Sequence, residues 1–411
     1  MRSATTKLAS RVMDRIEVLA RITDEPGRLT RTFASPAMRR ANDQVAKWMA
    51  QAGMKTRKDA IGNLIGHRSF HSPRHANSRE KVFLLGSHLD TVRNAGKFDG
   101  PLGVLLAIAC VEELRRREVH LPFALEVVGF ADEEGVRYQT AYLGSKVLAG
   151  AFDPRDLQRR DSQGIAMSEA IRRIGGNPQA LTRARTNPDD VLGYFEAHIE
   201  QGPVLENRDA PVGIVTAIAG QSRLRVQFVG NSGHAGTVPM GARRDALAGA
   251  AEFVLVTERC GTLATVGILE VPDAASNVIA GSAHLTLDVR DASDSHRKRA
   301  VRRLRRRAAA IARRRDLKLV WTPVQETAAV ACDKSLTRIL ARSVSRQDLE
   351  LIKLPSGAGH DAAIMARITR TAMLFIRCAG GISHHPDESV RVRDVCVALE
   401  VMLDFIQELA R

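Results

Sequence analysis

The chain has 411 residues, 44% hydrophobic and 26% charged, which leaves room for two or three domains with large cores. No apolar run approaches the length of a membrane span, and the five cysteines are odd in number without a C-x-x-C pair, so neither a spanning segment nor a disulfide framework is expected. The net charge of +15 raises the question of a nucleic-acid partner, yet aromatic residues, at 4%, supply little for stacking on bases.

Near the N-terminus, Leu8, Val12, Ile16 and Leu19 mark one face of a helix, with Asp14 and Glu17 on other faces. The N-terminus shows no apolar signal core, and most cysteines sit in apolar periodic segments as core thiols, so a reducing cytoplasm is expected. Ser35-Pro36 opens a helix that runs through Trp48 and is closed by Gly53. Met54 to His67 reads as two short strands around Gly62-Asn63, and His71 to Glu80 as a polar loop. Val82-Phe83-Leu84-Leu85 is a buried strand, and the periodic segment Leu102 to Leu114 is a helix. His88, Asp90 and Asp99 therefore lie on a strand-to-helix loop, where open α/β sheets bind ligands.

The pattern recurs along the chain. Leu125 to Phe130 is a strand that ends in Asp132-Glu133-Glu134-Gly135; Tyr194 to Gly202 is a strand-like run with His198 near its end; Met373 to Arg377 leads into Gly380-Gly381-Ile382-Ser383-His384-His385-Pro386. Each strand delivers His, Asp or Glu just past its apolar core, which points to one polar site at one edge of a largely parallel sheet. Asp153 to Asp190, broken by Gly175-Gly176-Asn177-Pro178, is expected as helix and loop rather than core.

Between residues 212 and 325 the pattern changes. Strand Leu224–Val229, helix Arg244–Glu258, strands Thr262–Glu270 and Ala283–Arg290, a basic helix Arg297–Arg315 and strand Leu317–Trp321 follow the β-α-β-β-α-β order of a ferredoxin-like unit. The sheet pattern resumes with Gly357-Ala358-Gly359-His360-Asp361, so this unit is an insertion. The expected fold is α/β: a discontinuous catalytic domain with a mostly parallel sheet (1–211 and 326–411) and an inserted α+β ferredoxin-like lid (212–325). In the basic run, Val301, Leu304, Ala308 and Ile311 keep an apolar stripe, which puts the arginines on a solvated helix face in preference to a nucleic-acid site. Their charge can still steer anionic substrates at long range.

The motifs G-S-H-L-D-T-V with K-F-D-G, F-A-D-E-E-G, H-I-E-Q-G-P-V-L-E, G-H-A-G-T-V-P-M, S-N-V-I-A-G with D-V-R-D, L-P-S-G-A-G-H-D-A and G-I-S-H-H-P span nearly the whole chain. In this order they resemble the dinuclear-metal amidohydrolases that include allantoate amidohydrolase, N-carbamoyl-L-amino-acid hydrolase and β-ureidopropionase. H-I-E-Q-G-P and G-A-G-H-D-A belong to the ureide-cleaving branch. The resemblance implies a zinc-peptidase-like catalytic domain, a homodimer contact through the inserted domain, and two divalent metal ions. Asp99 is implied as the bridge, His88 and His198 as the other ligands of one ion, and Glu134 and His384 as those of the second. His and carboxylate donors suit zinc, and also manganese, cobalt or nickel. His384 rather than His385 is selected because the family's His follows Ser and precedes one variable residue and Pro.

The same resemblance assigns chemistry. Glu133 is implied as the general base, taking a proton from a water held between the metals and later giving one to the leaving nitrogen. Asp90 is implied as the partner that fixes the tautomer of His88. Arg290 resembles the residue that holds a substrate carboxylate, with Asn277 beside it; His234 resembles the one that stabilises the oxyanion; Gln201 and His360 match the remaining polar contacts. The implied reaction cleaves the ureide C–N bond of allantoate or an N-carbamoyl-L-amino acid, releasing ammonia and CO2. The alternative is a peptidase or aminoacylase of the same clan acting on N-acyl amino acids, which would not need His360 and Gln201 so placed. A non-catalytic basic binding protein is disfavoured by the intact Glu133 and metal ligands.

Overall fold

A computed structural model describes residues 2–70 and 80–411; the loop expected from His71 lies outside the described residues up to residue 79. The chain divides into two compact units, one of residues Met1–Thr216, Cys332–Leu354 and Gly359–Arg411, the other of Ala217–Ala331 and Pro355–Ala358.

The first unit is built on a mixed sheet. Its order is Lys55–Lys58, Leu64–Arg68, Ala124–Phe130, Val82–His88, Val191–Ile199, Thr371–Ile376 and Val212–Ile218. The central pairings are parallel: Val82–His88 lies between Ala124–Phe130 and Val191–Ile199, and Thr371–Ile376 follows Val191–Ile199. Parallel strands covered on both faces read as continuous apolar runs, and every residue of Thr371–Ile376 is buried. Alternation along the strands then separates the faces. Phe83 and Leu85, Leu125 and Val127, Phe195 and Ala197, and Leu374 and Ile376 join the main core with the helices Arg2–Ala20, Pro101–Arg116, Lys334–Ser345 and Val392–Glu408. His88, Glu196 and His198 belong to the opposite parity.

Local signals explain several boundaries. Ser35 Oγ accepts the Met38 amide at 3.0 Å, and Pro36 occupies the first helical turn of Pro36–Gln51. The turn between Lys55–Lys58 and Leu64–Arg68 is held by Asp59, whose Oδ1 accepts the amides of Ile61, Gly62 and Asn63. The segment from Asp153 to Asp190 corrects the expectation that it avoids the core. The short helix Met167–Arg173 places Met167, Ala170 and Ile171 on one face, and they pack with Leu181, Phe152, Phe33 and Leu143 as a separate buried cluster.

The second unit has an antiparallel sheet ordered Leu269–Glu270, Ser282–Asp291, Gly220–Val229 and Lys318–Thr327, with Leu263–Thr265 also pairing with Ser282–Asp291. The strand expected over Thr262–Glu270 is thus split around Gly267, and the Ile268 amide goes to Thr286 Oγ1 instead of a ladder carbonyl. Leu224, Val226, Phe228, Leu285, Leu287 and Val289 alternate inward and pack against Phe253 of the helix Ala246–Glu258 and Leu304, Ala308 and Ile311 of the helix Asp294–Arg314. Val212–Ile218, expected within the insertion, instead forms a ladder with Thr371–Ile376 through residues 212–215, and the compact units divide after Thr216 and before Cys332. The apolar run from Val212 to Ile218 suits either sheet, so its pairing was not fixed by composition.

Candidate active site

Parallel strands end at one edge, and the polar residues converge there. His88 is the last residue of its strand, His198 the penultimate residue of Val191–Ile199, and Glu133 and Glu134 follow Phe130. Asp99 lies just before the helix Pro101–Arg116. Gly100, at φ +82°, lets this turn pass close to the site: a Cβ there would stand 2.5 Å from the His88 ring.

The two oxygens of Asp99 face different partners. Oδ1 lies 3.0 Å from His198 Nε2 and 3.6 Å from His88 Nε2. Oδ2 lies 3.1 Å from His384 Nε2, and His384 Nε2 is 3.5 Å from Glu134 Oε1. Backbone carbonyls fix the tautomers: His88 Nδ1 is 3.1 Å from Asp90 O, and His198 Nδ1 is 2.9 Å from Ile199 O. A carbonyl can only accept, so each Nδ1 carries the proton and each Nε2 turns toward Asp99. Potential ligand atoms of His88, Asp99 and His198 lie within 4.8 Å of one another, as do those of Asp99, Glu134 and His384. Two groups of N and O donors sharing one carboxylate fit a pair of divalent ions.

Electrostatics agree. Burial pushes Glu133 well above the ordinary carboxylate range, and Glu134 beside it adds to the push. Glu134 is raised to about 7, by burial and then by Asp99. Burial also works against a charged Asp99, but hydrogen bonds with His198, His384 and His88 outweigh it and hold the group well below its usual range. Carboxylates crowded and desolvated in this way call for positive charge among them.

Asp90 faces His88 and also makes further contacts. Its Oδ1 and Oδ2 accept the backbone amides of Glu133 and Glu134 at 3.0 and 3.1 Å, while its carbonyl is closer to His88 Nδ1 than its carboxylate, which stands 3.5 Å away. Asp90 therefore ties the loop carrying both glutamates to the loop carrying His88. Gln201 is also engaged: Nε2 donates to Asp99 Oδ2 at 2.9 Å and lies 3.1 Å from Ser383 Oγ, while Oε1 is buried with no partner among the described residues. His360 is buried edge-on to His198, with ring centroids 4.5 Å apart. Burial, and then His198, hold it well below the usual histidine range, so it is neutral.

The remaining expected residues belong to the second unit. His234 pairs with Val278 across a two-strand ladder, and Asn277 O accepts the Ala235 amide, so these two residues are neighbours. Arg290 donates through Nε and Nη2 to Asp288 and through Nη1 to Gly357 O.

Some contributors carried no sequence signal. Glu388 Oε1 accepts the amides of Phe98 at 2.7 Å and Asp99 at 3.1 Å, and Oε2 accepts the Ser383 hydroxyl at 3.0 Å. Arg31 is fully buried and donates to Leu89 O beneath the His88 loop. Glu196, which accepts from Ser87, Tyr194 and the Ala362 amide, was legible in hindsight: it precedes His198 by two on the same strand and so shares its face.

The family model described as Peptidase family M20/M25/M40 matches residues 84–408. The chain belongs to the M20 family. Among similar proteins, a probable allantoate deiminase of Oryza sativa subsp. japonica is 40% identical over 96% of this chain and 87% of its own length. An N-carbamoyl-L-amino acid amidohydrolase of Geobacillus stearothermophilus is 38% identical over 98% of both chains. A hydantoinase/carbamoylase-family amidase structure from Burkholderia multivorans superposes with a TM-score of 0.90 at 30% identity, covering 98% of each chain. This M20 protein is thus a hydrolase, in a branch whose named members act on carbon–nitrogen bonds other than peptide bonds. The donors grouped around Asp99 are this chain's candidate metal ligands. Among the described residues no helix is long and apolar enough to cross a membrane.

Proposed function

We propose that this M20 hydrolase cleaves the ureide C–N bond of allantoate or an N-carbamoyl-L-amino acid, releasing ammonia and CO2. The observation that carries the reading is the division of Asp99 between two donor groups with the buried Glu133 beside them. His88, Asp99 and His198 would hold one divalent ion and Asp99, Glu134 and His384 the other, zinc being the first choice. Such a pair supplies carbonyl polarisation and an acidified water.

The chain's own residues do the rest. Glu133 takes the proton of the attacking water and delivers it to the leaving nitrogen. Asp90 fixes the position of Glu133 by gripping its amide. The unpartnered Oε1 of Gln201 supports a role in accepting a ureide N–H, and the neutral imidazole of His360 supports a polar contact without added charge. His234 is assigned the developing oxyanion, with Asn277 at the substrate. Arg290 has five N–H donors and spends three on Asp288 and Gly357, which leaves two for a substrate carboxylate. The second unit is proposed to make the homodimer contact, a reading supported by the exposed Leu247, Leu255, Leu263, Ile268 and Leu269.

The test is ammonia release from allantoate, N-carbamoyl-L-amino acids and N-carbamoyl-β-alanine, with and without added metal, set against release of free amino acid from N-acetyl amino acids. Metal-dependent ammonia release is expected. Faster turnover of the N-acetyl compounds would favour an aminoacylase instead.

A further inference from the structure

The arginines of the helix Asp294–Arg314 are not used by the hydrolase reading, and they do not all have the same surroundings. Arg297 is buried and paired with Asp294 and Glu326, and Arg314 and Arg315 pair with Glu252. Arg299, Arg302, Arg303 and Arg306 instead line a cavity of about 550 Å3 together with Gly261, Thr262, Asp291 and His296. These four positions follow the i, i+3, i+4, i+7 spacing of a single helix face, so their guanidiniums form one stripe about 10 Å long at 1.5 Å rise per residue. Among the described residues Arg299, Arg302 and Arg306 have no ion pair. Arg303 donates to the Cys260 carbonyl and is thereby fixed against the wall that carries Gly261 and Thr262. The one lining carboxylate, Asp291, accepts the Ser293 amide at 2.7 Å ahead of the helix.

We propose that this cavity is a binding site for a linear polyphosphate anion, either inorganic or carried by a nucleotide. Four guanidiniums in a row around a single carboxylate leave an excess of positive charge in a concave site. Guanidinium forks match phosphate oxygens two at a time, and a row of forks fits a ligand whose anionic groups are themselves in a row. The volume lies within the range of small-molecule sites. The lining has no Phe, Tyr or Trp, so there is no platform for stacking bases, which separates this site from a single-strand nucleic-acid groove. The phosphate chain, not a base, is what the site reads.

The experiment is calorimetric titration of the full-length protein with inorganic tripolyphosphate and with ATP at about 0.15 M salt, where exposed charges beyond roughly 8 Å are screened. Two variants of equal charge change are compared: Arg299→Gln/Arg302→Gln/Arg306→Gln in the cavity, and Arg305→Gln/Arg307→Gln/Arg313→Gln elsewhere on the helix. Gln keeps helix propensity, and thermal unfolding checks that both variants are folded. The expected result is one tripolyphosphate per chain, ATP binding no tighter, a loss of tenfold or more in the cavity variant and less than twofold in the other. Ureide turnover without polyphosphate should be the same in all three proteins. Absence of saturable binding, or equal weakening by both variants, would overturn the site. So would an oligonucleotide that outcompetes tripolyphosphate with affinity rising with its length, because the face would then be a nucleic-acid surface.

Discussion

Removing the Glu388 side chain should loosen the candidate site more than its distance from the reacting atoms suggests. Glu388 is 2% exposed, and its carboxylate joins the loop of Asp99 to the loop of His384 through the amides of Phe98 and Asp99 and the hydroxyl of Ser383. In Glu388→Ala both amides lose their acceptor in a buried place, at about 1–3 kcal/mol each. Ser383 loses less, because its hydroxyl is already 3.1 Å from Asp99 Oδ2 and can turn to it. The expected loss of stability is therefore about 2–6 kcal/mol. Glu388→Gln keeps the amide oxygen for both backbone donors and offers its NH2 to Ser383 Oγ. Burial, and then Asp99, already raise the Glu388 pKa, so removing its charge is well tolerated; the expected cost is about 1 kcal/mol. Urea unfolding of the metal-free proteins reads this difference, and metal titration should show an affinity loss of about 10–100-fold in Glu388→Ala and a smaller one in Glu388→Gln. Equal stability of the two variants, or metal affinity unchanged by Ala, would refute Glu388 as the tie between the loops.

Asp99→Ala should lose both metal ions, because its two oxygens serve both donor groups; metal analysis that still finds two ions would remove the bridging role. Glu133→Gln should keep fold and metals while turnover falls by about 10²–10⁴, and near-normal turnover would exclude it as the base. Arg290→Lys should lower kcat/KM by roughly tenfold or more on a substrate carboxylate and much less on the matching amide, whereas equal losses would make its pairing with Asp288 purely structural. Asp394→Asn should cost about 1.5–3 kcal/mol, because the buried Arg377 guanidinium loses the charge and one of the two bonds of Asp394 while keeping Asp209 at 2.6 Å, a value that denaturant unfolding checks directly.

The frame of the fold and the convergence of polar residues at one sheet edge were legible because both rest on short-range rules, while the choice of ligands among them came from the family resemblance. Apolar runs such as Val82 to Leu85 announce buried parallel strands, and parallel strands must end together, so His88, Glu134, His198 and His384 could be placed at one edge without coordinates. Legibility failed where a residue acts through a long-range contact. Glu388 meets Phe98 across 290 positions, and nothing in the local pattern of His384-His385-Pro386-Asp387-Glu388 marks it. The hold of Asp99 on the Gln201 amide nitrogen was not legible either, because it is set by a loop residue at φ +56° that periodicity does not describe. The satellite cluster of Met167, Ile171 and Leu181 was hidden by the charged residues between its apolar positions.

The supporting residues share one device that accounts for how loops hold a site of this kind. Loops at strand ends are ordinarily the least rigid parts of an α/β unit. Here buried carboxylates accept neighbouring backbone amides in those loops: Asp90 those of Glu133 and Glu134, Glu388 those of Phe98 and Asp99, and Glu200 those of Val204 and Leu205. Each grip satisfies two donors that a loop would otherwise leave open and fixes the backbone from which a functional side chain departs. The first two grips bear directly on proposed chemistry, since Glu133, Glu134 and Asp99 are themselves the gripped residues. The backbone from which they depart is thus held by protein hydrogen bonds, which is the condition for donors to be preorganised. It also follows that Asp90 and Glu388 bear on both proposed metal positions at once: Asp90 through the loops of His88 and Glu134, and Glu388 through Asp99 and the neighbour of His384.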